Sequence, residues 1–572
     1  MYSASIDRWM KAFGSASWKA RLEEYYGTEI GPWQANYQEA LQVFAENFGD
    51  HGDVVVARCP GQMNIMGMHI DYGGMPSLRL AVRGADTLTI ARKRADSNVR
   101  LASLVRAPGE EADRFPPVEF DLAQVVPPDK VDTRQKLLDF AGQVCQQREA
   151  ETGSAQATDW GIMPQGQLIY LESYFRDSTP IGGLDMLVWS NVSPSGGMSS
   201  SSALVISTAH AALGAHGLRP HIDLPSVELV DGVGTSEWIR GTRGGTGDHG
   251  GMVLGRSGQL VSVGVFPSQS YGQAPLPEEY AAVVLDSGVP RIYDEAGKEE
   301  TVIAYPLGVF LVRDLLLPGL SGRAEFAGLV PDYAERIHFI RDITEAELGL
   351  GLEQLYQVLE GIPCQTSLAQ LRQLARAAGC EAAFQAVYET EVEGKFPSIT
   401  PDYPIYLRRR FIFGLTEQDR VQRMLEYMAA GRMDTALELV RISHDGDLDT
   451  EVTDAELAQL RQGAAQGQER ARLCFVAGGY GRMTDAYDRV ARRVNEHLLE
   501  VGGPTGGAVQ RLGAGWGGNV GGLVHRSFLE GPRRPDFERL LGQELGLQID
   551  LDASVAVPGE GACLWTPPET SS

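Results

Sequence analysis

The stretch that decides the fold is RCPGQMNIMGMHIDYGG, residues 58–74. It continues a strand-like run, DVVVA at 53–57, into a turn that glycines flank on both sides. His69 and Asp71 stand two residues apart in this turn, so an imidazole and a carboxylate can be aimed at neighbouring hydroxyl groups of one ligand. The alternative is that both side chains only cap the turn. The stretch therefore predicts a strand that ends in a polar ligand site.

A second motif, PSGGMSSSSA at 194–203, lies between the strand-like segment GGLDMLVWSNVSP and the helix-like run ALVISTAHAALGAHG. Glycines let backbone N–H groups point into a concavity, and a helix N-terminus adds partial positive charge, so the motif suits phosphate oxygens. A serine hydroxyl there can also ligate Mg²⁺. The motif lacks the Gly-Lys-Ser/Thr ending of a Walker loop, which disfavours a standard P-loop protein. Taken alone, it is also typical of a plain serine-rich helix cap.

A third motif, EWIRGTRGGTGDHG at 237–250, places Glu237 and Asp248 in glycine-rich surroundings. A carboxylate beside a cation keeps its charged form, which suits it to accept or orient a hydroxyl proton. The alternative is an aspartate in an ordinary glycine turn. The segments GMVLG, QLVSVGVF and YAAVVLDSG follow as predicted strands, and RLGAGWGGNV at 511–520 predicts a glycine turn that runs into another strand.

Composition excludes several classes of function. The net charge of -25 repels nucleic acid and anionic lipid at long range, so we expect neither as a partner. The six cysteines are far apart and form no CxxC pair, which favours reduced thiols and a cytoplasmic protein. The N-terminal residues do not resemble a signal peptide, and no apolar run approaches the roughly 20 residues that cross a bilayer.

The motifs together resemble those of the GHMP kinase superfamily, and of galactokinases in particular. Residues 58–74 are similar to the galactokinase sugar-binding signature, and Met198–Ser202 to the superfamily's serine-rich phosphate loop. The runs at 237–250, 439–444 and 511–520 are similar to further galactokinase motifs, in the same order. The resemblance implies an α+β fold of two domains, with the active site in the cleft between an N-terminal mixed β-sheet domain and a C-terminal α/β domain.

The resemblance also implies site residues. Asp248 corresponds to the catalytic base, Glu237 and Ser201 to Mg²⁺ ligands, and ATP is the expected phosphoryl donor. The residues implied for ATP are Ser195, Gly196, Gly197, Met198, Ser199, Ser200, Ser201 and Ser202. Those implied for the sugar are Met68, His69, Ile70, Asp71 and Tyr305.

Two departures from the galactokinase motif bear on activity. Gln62 stands where the family keeps an arginine, so its position implies a catalytic role. A neutral amide, however, cannot offset phosphoryl charge as a guanidinium does. Arg243 is a candidate source of the lacking charge, or else a surface loop residue. Met68 replaces a glutamate that contacts the sugar, which favours a sugar that differs from galactose. His249 either touches substrate or bonds to backbone.

At 572 residues the chain predicts two packed domains. We expect a helical extension at 1–50, an N-terminal domain at 51–272 with an insertion at about 104–160, a C-terminal domain at 273–566 and a tail at 567–572. The expected function is ATP-dependent phosphorylation of the anomeric C1 hydroxyl of galactose or a galactose-like sugar. The alternatives are a galacturonate or L-arabinose 1-kinase, and a catalytically weak homologue that binds sugar and ATP as a sensor. The oligomeric state is not readable from the sequence.

Overall fold

The structure is a computed structural model that describes residues 2–68, 70–105, 115–192, 197–241, 244–292, 294–513 and 515–567. The strands within these ranges are β1 Ala4–Ser5, β2 Asp53–Met66, β3 Ser77–Lys93, β4 Asn98–Leu104, β5 Val118–Asp121, β6 Leu184–Ser190, β7 Gln259–Val263, β8 Ser270–Pro275, β9 Tyr280–Val289, β10 Gly507–Leu512, β11 Gly518–His525, β12 Val555–Ala556 and β13 Cys563–Leu564.

The α-helices of the first half are α1 Ile6–Phe13, α2 Ala16–Tyr26, α3 Gly31–Phe48, α4 Leu122–Val125, α5 Arg134–Thr152, α6 Ile162–Phe175, α7 Ser200–Ala215, α8 Ser226–Ser236 and α9 Gly247–Leu254. Those of the second half are α10 Glu295–Phe310, α11 Leu317–Leu320, α12 Tyr333–Arg336, α13 Glu345–Leu348, α14 Leu352–Glu360, α15 Leu368–Ala377, α16 Glu381–Val387, α17 Leu407–Ala429, α18 Met433–Gly446, α19 Asp454–Ala465, α20 Asp485–Gly502 and α21 Arg534–Arg539. Short 3₁₀ and π turns join several of them.

The chain divides into two compact units. Unit 1 comprises Met1–Asn64, Arg79–Leu276 and Ala556–Ser572, and unit 2 comprises Ile65–Leu78 and Pro277–Val555. The sequence-based division assigned 65–78 to the first domain and 556–566 to the second. The structure places 65–78 in unit 2 and 556–566 in unit 1. The C-terminal segment belongs to unit 1 because β13 pairs antiparallel with β2.

Unit 1 is built on a mixed sheet in the order β1-β2-β3-β6-β4-β5. Strand β13 pairs with β2, β7 pairs with β3, and β8 pairs with β7. The pair β4–β6 is parallel and β3–β6 is antiparallel. The N-terminal helices cover one region of this sheet through a buried aromatic cluster that includes Trp9, Trp18, Tyr37 and Trp565. The Trp565 ring lies 5.1 Å from that of Trp18, and its indole N–H donates to the Tyr37 hydroxyl at 3.0 Å.

Unit 2 contains the sheet β10-β11-β9-β12 and a large helical layer. Residues of β9, β10, β11 and α20 form one core cluster, and residues of α10, α14 and α17 form another. Side-chain caps begin several of these helices, as where Asp294 accepts from the backbone N–H of Gly297 at the start of α10. Two sheets with helices in each unit confirm the expected α+β class.

One predicted strand is wrong. The first four residues of GMVLG form the C-terminal part of α9, and Gly255 is its C-cap. Because α9 begins at Gly247, Asp248 lies in the first turn of a helix. A Cβ at Gly255 would lie 2.5 Å from Cβ of Ala81, so the glycines let α9 pack closely on β3. A short apolar run has no periodicity that separates a strand from a buried helix.

One helical stretch, Glu295–Leu320, is long and apolar enough to cross a membrane by length and composition, contrary to the expectation that no run reaches this size. Of the 18-residue segment of this stretch with the highest mean hydropathy, 56% is buried within the protein. Ile303, Leu307 and Phe310 of this stretch lie in the core of unit 2, and core helices pass the same test.

Candidate functional site

In unit 1, three side chains from distant segments converge on the carboxylate of Asp248. Nη1 of Arg79, on β3, donates to Oδ1, and Nε2 of Gln62, on β2, donates to the same oxygen at 3.1 Å. The hydroxyl of Ser199, just before α7, donates to Oδ2 at 2.5 Å. Arg79 also donates to Oε1 of Gln62 at 3.1 Å, so Gln62 bridges the guanidinium and the carboxylate. The predicted base is held from both oxygens.

The two side chains of the Arg79–Asp248 ion pair differ in their exposure to solvent. The Arg79 side chain is 2% exposed, whereas that of Asp248 is 38% exposed. Burial by itself raises the pKa of Asp248, but the Arg79 guanidinium, the Ser199 hydroxyl and the neighbouring His249 outweigh it and hold the pKa below its usual range. The carboxylate is therefore ionised near neutral pH and reachable from solvent.

Arg79 was missed by sequence reasoning. It lies within SLRLAV, an otherwise apolar strand, and an arginine inside such a run is the signal that could have found it. The residue proposed from sequence as a source of positive charge, Arg243, lies outside the described residues, as does the adjacent Thr242.

The serine loop begins α7 with unusual backbone angles. Gly197 has a φ of 73° and Ser199 a φ of 58°, and no side chain at the N-cap position bonds to the helix. The first N–H groups of α7 therefore lack the usual side-chain acceptor, which fits an anionic ligand. Ser200 and Ser201 are half-buried and Ser202 is buried. Ser195 and Gly196, also expected to bind ATP, lie outside the described residues.

Strand β2 lies directly against this loop. The backbone N–H of Gln62 donates to the carbonyl of Met198 at 3.1 Å. A Cβ at Gly61 would lie 3.2 Å from both Cβ and the carbonyl oxygen of Met198, closer than most such contacts. Glycine at position 61 thus lets the first motif and the serine loop approach closely, and the role of the loop in binding ATP stays a prediction.

Glu237 begins a 3₁₀ turn, Glu237–Arg240, after α8. Its Oε1 lies 3.0 Å from Nε2 of His249, and its side chain is 20% exposed. Within the described ranges, no group of three or more His, Cys, Asp or Glu side chains is placed to hold a metal ion. Glu237 and Ser201 are oxygen donors of the kind that Mg²⁺ prefers, so the donor chemistry fits, and the metal site stays a prediction.

In unit 2, a buried carboxylate secures the turn of the first motif. Oε1 of Glu417, on α17, accepts from the backbone N–H of Gly67 and from the hydroxyl of Ser443, both at 2.8 Å. Its Oε2 pairs with Nε of Arg420 at 2.5 Å, and both side chains are fully buried. Gly67 has a φ of 85°, which favours glycine. None of this support is adjacent to the motif in sequence.

The residues expected to hold the sugar follow that turn. Met68 and Ile70 are buried, and Ile70 belongs to the core of unit 2. His69 lies outside the described residues. Asp71 begins a 3₁₀ turn, Asp71–Gly73, and its Oδ1 accepts from the backbone N–H of Tyr72 at 3.1 Å. Their roles in binding stay predictions.

Tyr305 lies beside this turn with a buried hydroxyl that has no hydrogen-bond partner among the described residues. Its ring stacks on that of Tyr72, with 5.7 Å between centroids, and on that of Tyr480, with 6.5 Å between centroids. A Cβ at Gly73 would lie 2.7 Å from the Tyr305 ring, so the turn approaches the ring closely. A buried hydroxyl without a partner is costly unless a ligand satisfies it, which fits a polyhydroxylated ligand.

The two C-terminal motifs meet in unit 2 through Asp447, a residue that neither motif includes. Nε and Nη2 of Arg511 donate to the two carboxylate oxygens of Asp447 at 2.9 and 2.6 Å. Both side chains are buried. His444 lies 3.0 Å from Asp488 on α20. The Arg511 pair connects β10, which leads into the glycine hairpin, to the end of α18, and the His444 pair connects α18 to α20.

Two family models match the chain. Residues 42–93 match the galactokinase galactose-binding signature, and residues 168–256 match the N-terminal domain of GHMP kinases. The first covers the Arg58–Gly74 motif and Arg79, and the second covers the serine loop, Glu237 and Asp248.

Curated relatives are distant. The galactokinase of Chloroflexus aurantiacus is 28% identical over 247 residues, 43% of this chain and 52% of that protein. The L-arabinokinase of Arabidopsis thaliana is 24% identical over 320 residues, 52% of this chain and 29% of that protein. The galactokinase of Candida maltosa is 23% identical over 238 residues, 41% of this chain and 94% of that protein. The match thus spans about half or less of the first two relatives.

A solved structure is similar over most of the chain. The galactokinase of Lactococcus lactis, complexed with galactose, superposes with a TM-score of 0.51 at 18% identity, covering 91% of this chain and 98% of that one. At this identity the likeness concerns the fold, and it confirms the expected two-sheet α+β architecture.

Proposed function

This chain belongs to the GHMP kinase superfamily and is galactokinase-like, and from that premise we propose that it is an ATP-dependent sugar kinase. The acceptor is the anomeric C1 hydroxyl of galactose or a galactose-like sugar. The observation that carries the proposal is the ionised, solvent-reachable carboxylate of Asp248 between Arg79, Gln62 and Ser199.

Asp248 accepts a hydrogen bond from the sugar hydroxyl and takes its proton. A carboxylate with a lowered pKa is a weak base, so it cannot deprotonate a free hydroxyl far in advance of bond formation. In phosphoryl transfer the transition state is loose, and the hydroxyl becomes acidic only as its oxygen bonds to phosphorus. The work of Asp248 is therefore to orient the hydroxyl and to receive the proton late.

The serine loop and the first turn of α7 hold the nucleotide phosphates. Backbone N–H groups at the start of a helix bind anions by hydrogen bonding and by the helix dipole. In an acidic protein this local geometry is the means of binding a polyphosphate. When bound, ATP supplies the phosphoryl group, and Mg²⁺ offsets the charge on its oxygens. Glu237 and Ser201 are the residues that would hold that ion.

Asp71 and the hydroxyl of Tyr305 provide polar contacts for the sugar. A carboxylate accepts from sugar hydroxyls, and the buried Tyr305 hydroxyl, whose pKa burial raises, stays protonated and can donate. Met68 offers a thioether where a galactokinase offers a carboxylate, which leaves one sugar hydroxyl without a strong acceptor.

L-Arabinose is the second candidate acceptor. Two observations favour it: Met68 stands in place of the sugar-contacting glutamate, and one of the relatives is an L-arabinokinase. Galacturonate, altered at C6 relative to galactose, is a further candidate on the first observation alone. A sensor that binds but does not turn over needs no ionised carboxylate supported by three donors, so the Asp248 arrangement favours the enzyme over the sensor.

The test is sugar-dependent release of ADP from ATP and Mg²⁺, measured with galactose, L-arabinose, galacturonate and, as an acceptor without a free anomeric hydroxyl, methyl galactoside. We expect turnover with at least one free sugar and none with the glycoside. Phosphorus NMR of the product should show coupling to the anomeric proton. Turnover absent for all sugars, with ATP binding retained, would support the sensor and refute the kinase.

A further inference from the structure

We propose that Arg79 is a positioning residue for Asp248: it keeps the carboxylate ionised and commits Oδ1, so that Oδ2 is the oxygen that receives the proton. This inference rests on the proposed kinase activity for its catalytic consequence. Its structural basis, the arrangement of donors around one carboxylate, is independent of the substrate.

The donors around Asp248 are unequally distributed. A carboxylate has about four acceptor sites, two on each oxygen. Arg79 and Gln62 both donate to Oδ1, and Ser199 alone donates to Oδ2. Three sites are therefore occupied within the described part of the chain, and the remaining one lies on Oδ2. The Asp248 side chain is 38% exposed, which leaves the carboxylate within reach of a ligand hydroxyl.

The packing of β3 against α9 holds Arg79 beside Asp248. Arg79 is the third residue of β3, and its side chain is 2% exposed. A Cβ at Gly251, on α9, would lie 3.1 Å from Cδ and 3.3 Å from Cβ of Arg79. Glycine at 251 thus leaves room for the arginine stem beside the helix that carries Asp248. The close approach of α9 to β3 at Gly255 and Ala81 fixes the position of the helix relative to the strand.

A buried guanidinium has a distinct effect from the other two donors. The amide of Gln62 and the hydroxyl of Ser199 are neutral, whereas Arg79 carries a positive charge. Of the three, Arg79 is therefore the donor that compensates the charge of the half-buried carboxylate. Without it, the first turn of α9 would contain an anion whose main cationic partner is missing.

The experiment compares Arg79→Gln and Arg79→Lys with Arg83→Gln. Arg83 also lies on β3, four residues along, and donates to the Ser257 hydroxyl at 2.9 Å away from Asp248. We expect Arg79→Gln to lower kcat about 10²-fold with KM values for ATP and sugar changed less than about threefold, because the loss acts through the base and not through ligand binding. Arg79→Lys should restore about tenfold, and Arg83→Gln should match the parent protein. Equal losses for Arg79→Gln and Arg79→Lys, with raised KM values, would show a structural role and overturn the proposal.

A double variant separates positioning from direct action. If Arg79 acts through Asp248, Asp248→Asn with Arg79→Gln turns over no more slowly than Asp248→Asn alone. A further loss of tenfold or more in the double variant would mean that Arg79 acts on the transferred group itself, which contradicts the proposal.

A measurement without turnover keeps this inference distinct from the proposed function. Carbon NMR of protein labelled at the aspartate carboxyl carbon, with Asp248 assigned from Asp248→Asn, reports the pKa of this group directly. We expect Arg79→Gln to raise it by at least one unit and Arg83→Gln to leave it unchanged. An unshifted pKa in Arg79→Gln overturns the inference even if the kinase is active, and a shifted pKa upholds it even if no sugar is phosphorylated.

Discussion

The hydroxyl of Ser199 donates to Oδ2 of Asp248 at 2.5 Å, although Ser199 stands at the N-cap position of α7. A serine at that position usually turns its hydroxyl toward the first N–H groups of the helix. Here the hydroxyl donates to the carboxylate instead and makes no capping bond to the first N–H groups of α7. Those N–H groups can therefore bind another acceptor. One residue thereby connects the proposed nucleotide site to the proposed base.

Replacing Ser199 with alanine tests this link through the pH dependence of activity. The hydroxyl lowers the pKa of Asp248, so its removal raises that pKa. Activity requires the ionised carboxylate, is complete above its pKa and is lost as pH falls through it. The acid limb of kcat/KM should therefore move to higher pH in Ser199→Ala. Because Ser199 does not cap α7, the free energy of unfolding should fall by less than the ~1 kcal/mol typical of a lost cap. An unmoved acid limb would contradict the assignment.

Asp248→Asn should lower kcat by about 10²- to 10⁴-fold, the range that a general base contributes. An amide of nearly the same shape still accepts from Arg79 but does not take a proton. The affinity for ATP, measured by fluorescence of a bound nucleotide analogue, should change little because the serine loop is intact. Turnover within tenfold of the parent protein would remove Asp248 from the role of base.

Tyr305→Phe tests the proposed contact between the Tyr305 hydroxyl and the sugar. Its buried hydroxyl has no partner among the described residues, so its removal should not lower the free energy of unfolding. If the hydroxyl bonds to the sugar, the KM for sugar should rise about five-fold, the equivalent of ~1 kcal/mol, and the KM for ATP should not change.

The matched control is Tyr356→Phe, also in unit 2. The Tyr356 hydroxyl is buried and donates to the carbonyl of Ala471 at 2.6 Å. Its loss should destabilise the protein by ~1 kcal/mol and leave both KM values unchanged. If Tyr305→Phe behaves like Tyr356→Phe, Tyr305 does not contact the sugar.

Glu417→Ala should destabilise unit 2 strongly. It removes the acceptor for the Gly67 N–H and leaves the fully buried Arg420 without its carboxylate. Breaking a buried pair typically costs ~3–5 kcal/mol. Glu426→Ala on the same helix removes an exposed partner of Arg423 and should cost less than ~1 kcal/mol. Denaturant midpoints measure both, and comparable losses in the two variants would show that Glu417 does not secure the turn.

Local elements were largely predictable because their signals are short in sequence. Apolar spacing predicted α7, and alternating apolar runs predicted β7 and β9. The glycine run after Arg511 predicted a turn that runs into a strand, which is β11. The strand predicted after Asp248 failed because a short apolar run fits a buried helix equally well, and only packing against β3 decides between them.

Contacts between residues that are far apart in the sequence could not be predicted from such local signals. The sequence did not indicate that Trp565 would return to the N-terminal aromatic cluster, or that Glu417 would secure Gly67. In both cases the partners are separated by hundreds of residues, and nothing in the local pattern of either one specifies the other.

The sequence by itself determined the resemblance to galactokinases, the order of the motifs and the candidate site residues, including Asp248, Gln62 and the serine loop. Only the tertiary structure decided what surrounds Asp248. Arg79 is 169 residues away in the chain and meets the carboxylate because β3 and α9 pack through glycines. Charge compensation of a half-buried carboxylate depends on distances of a few ångströms in space, and spacing along the chain does not encode them.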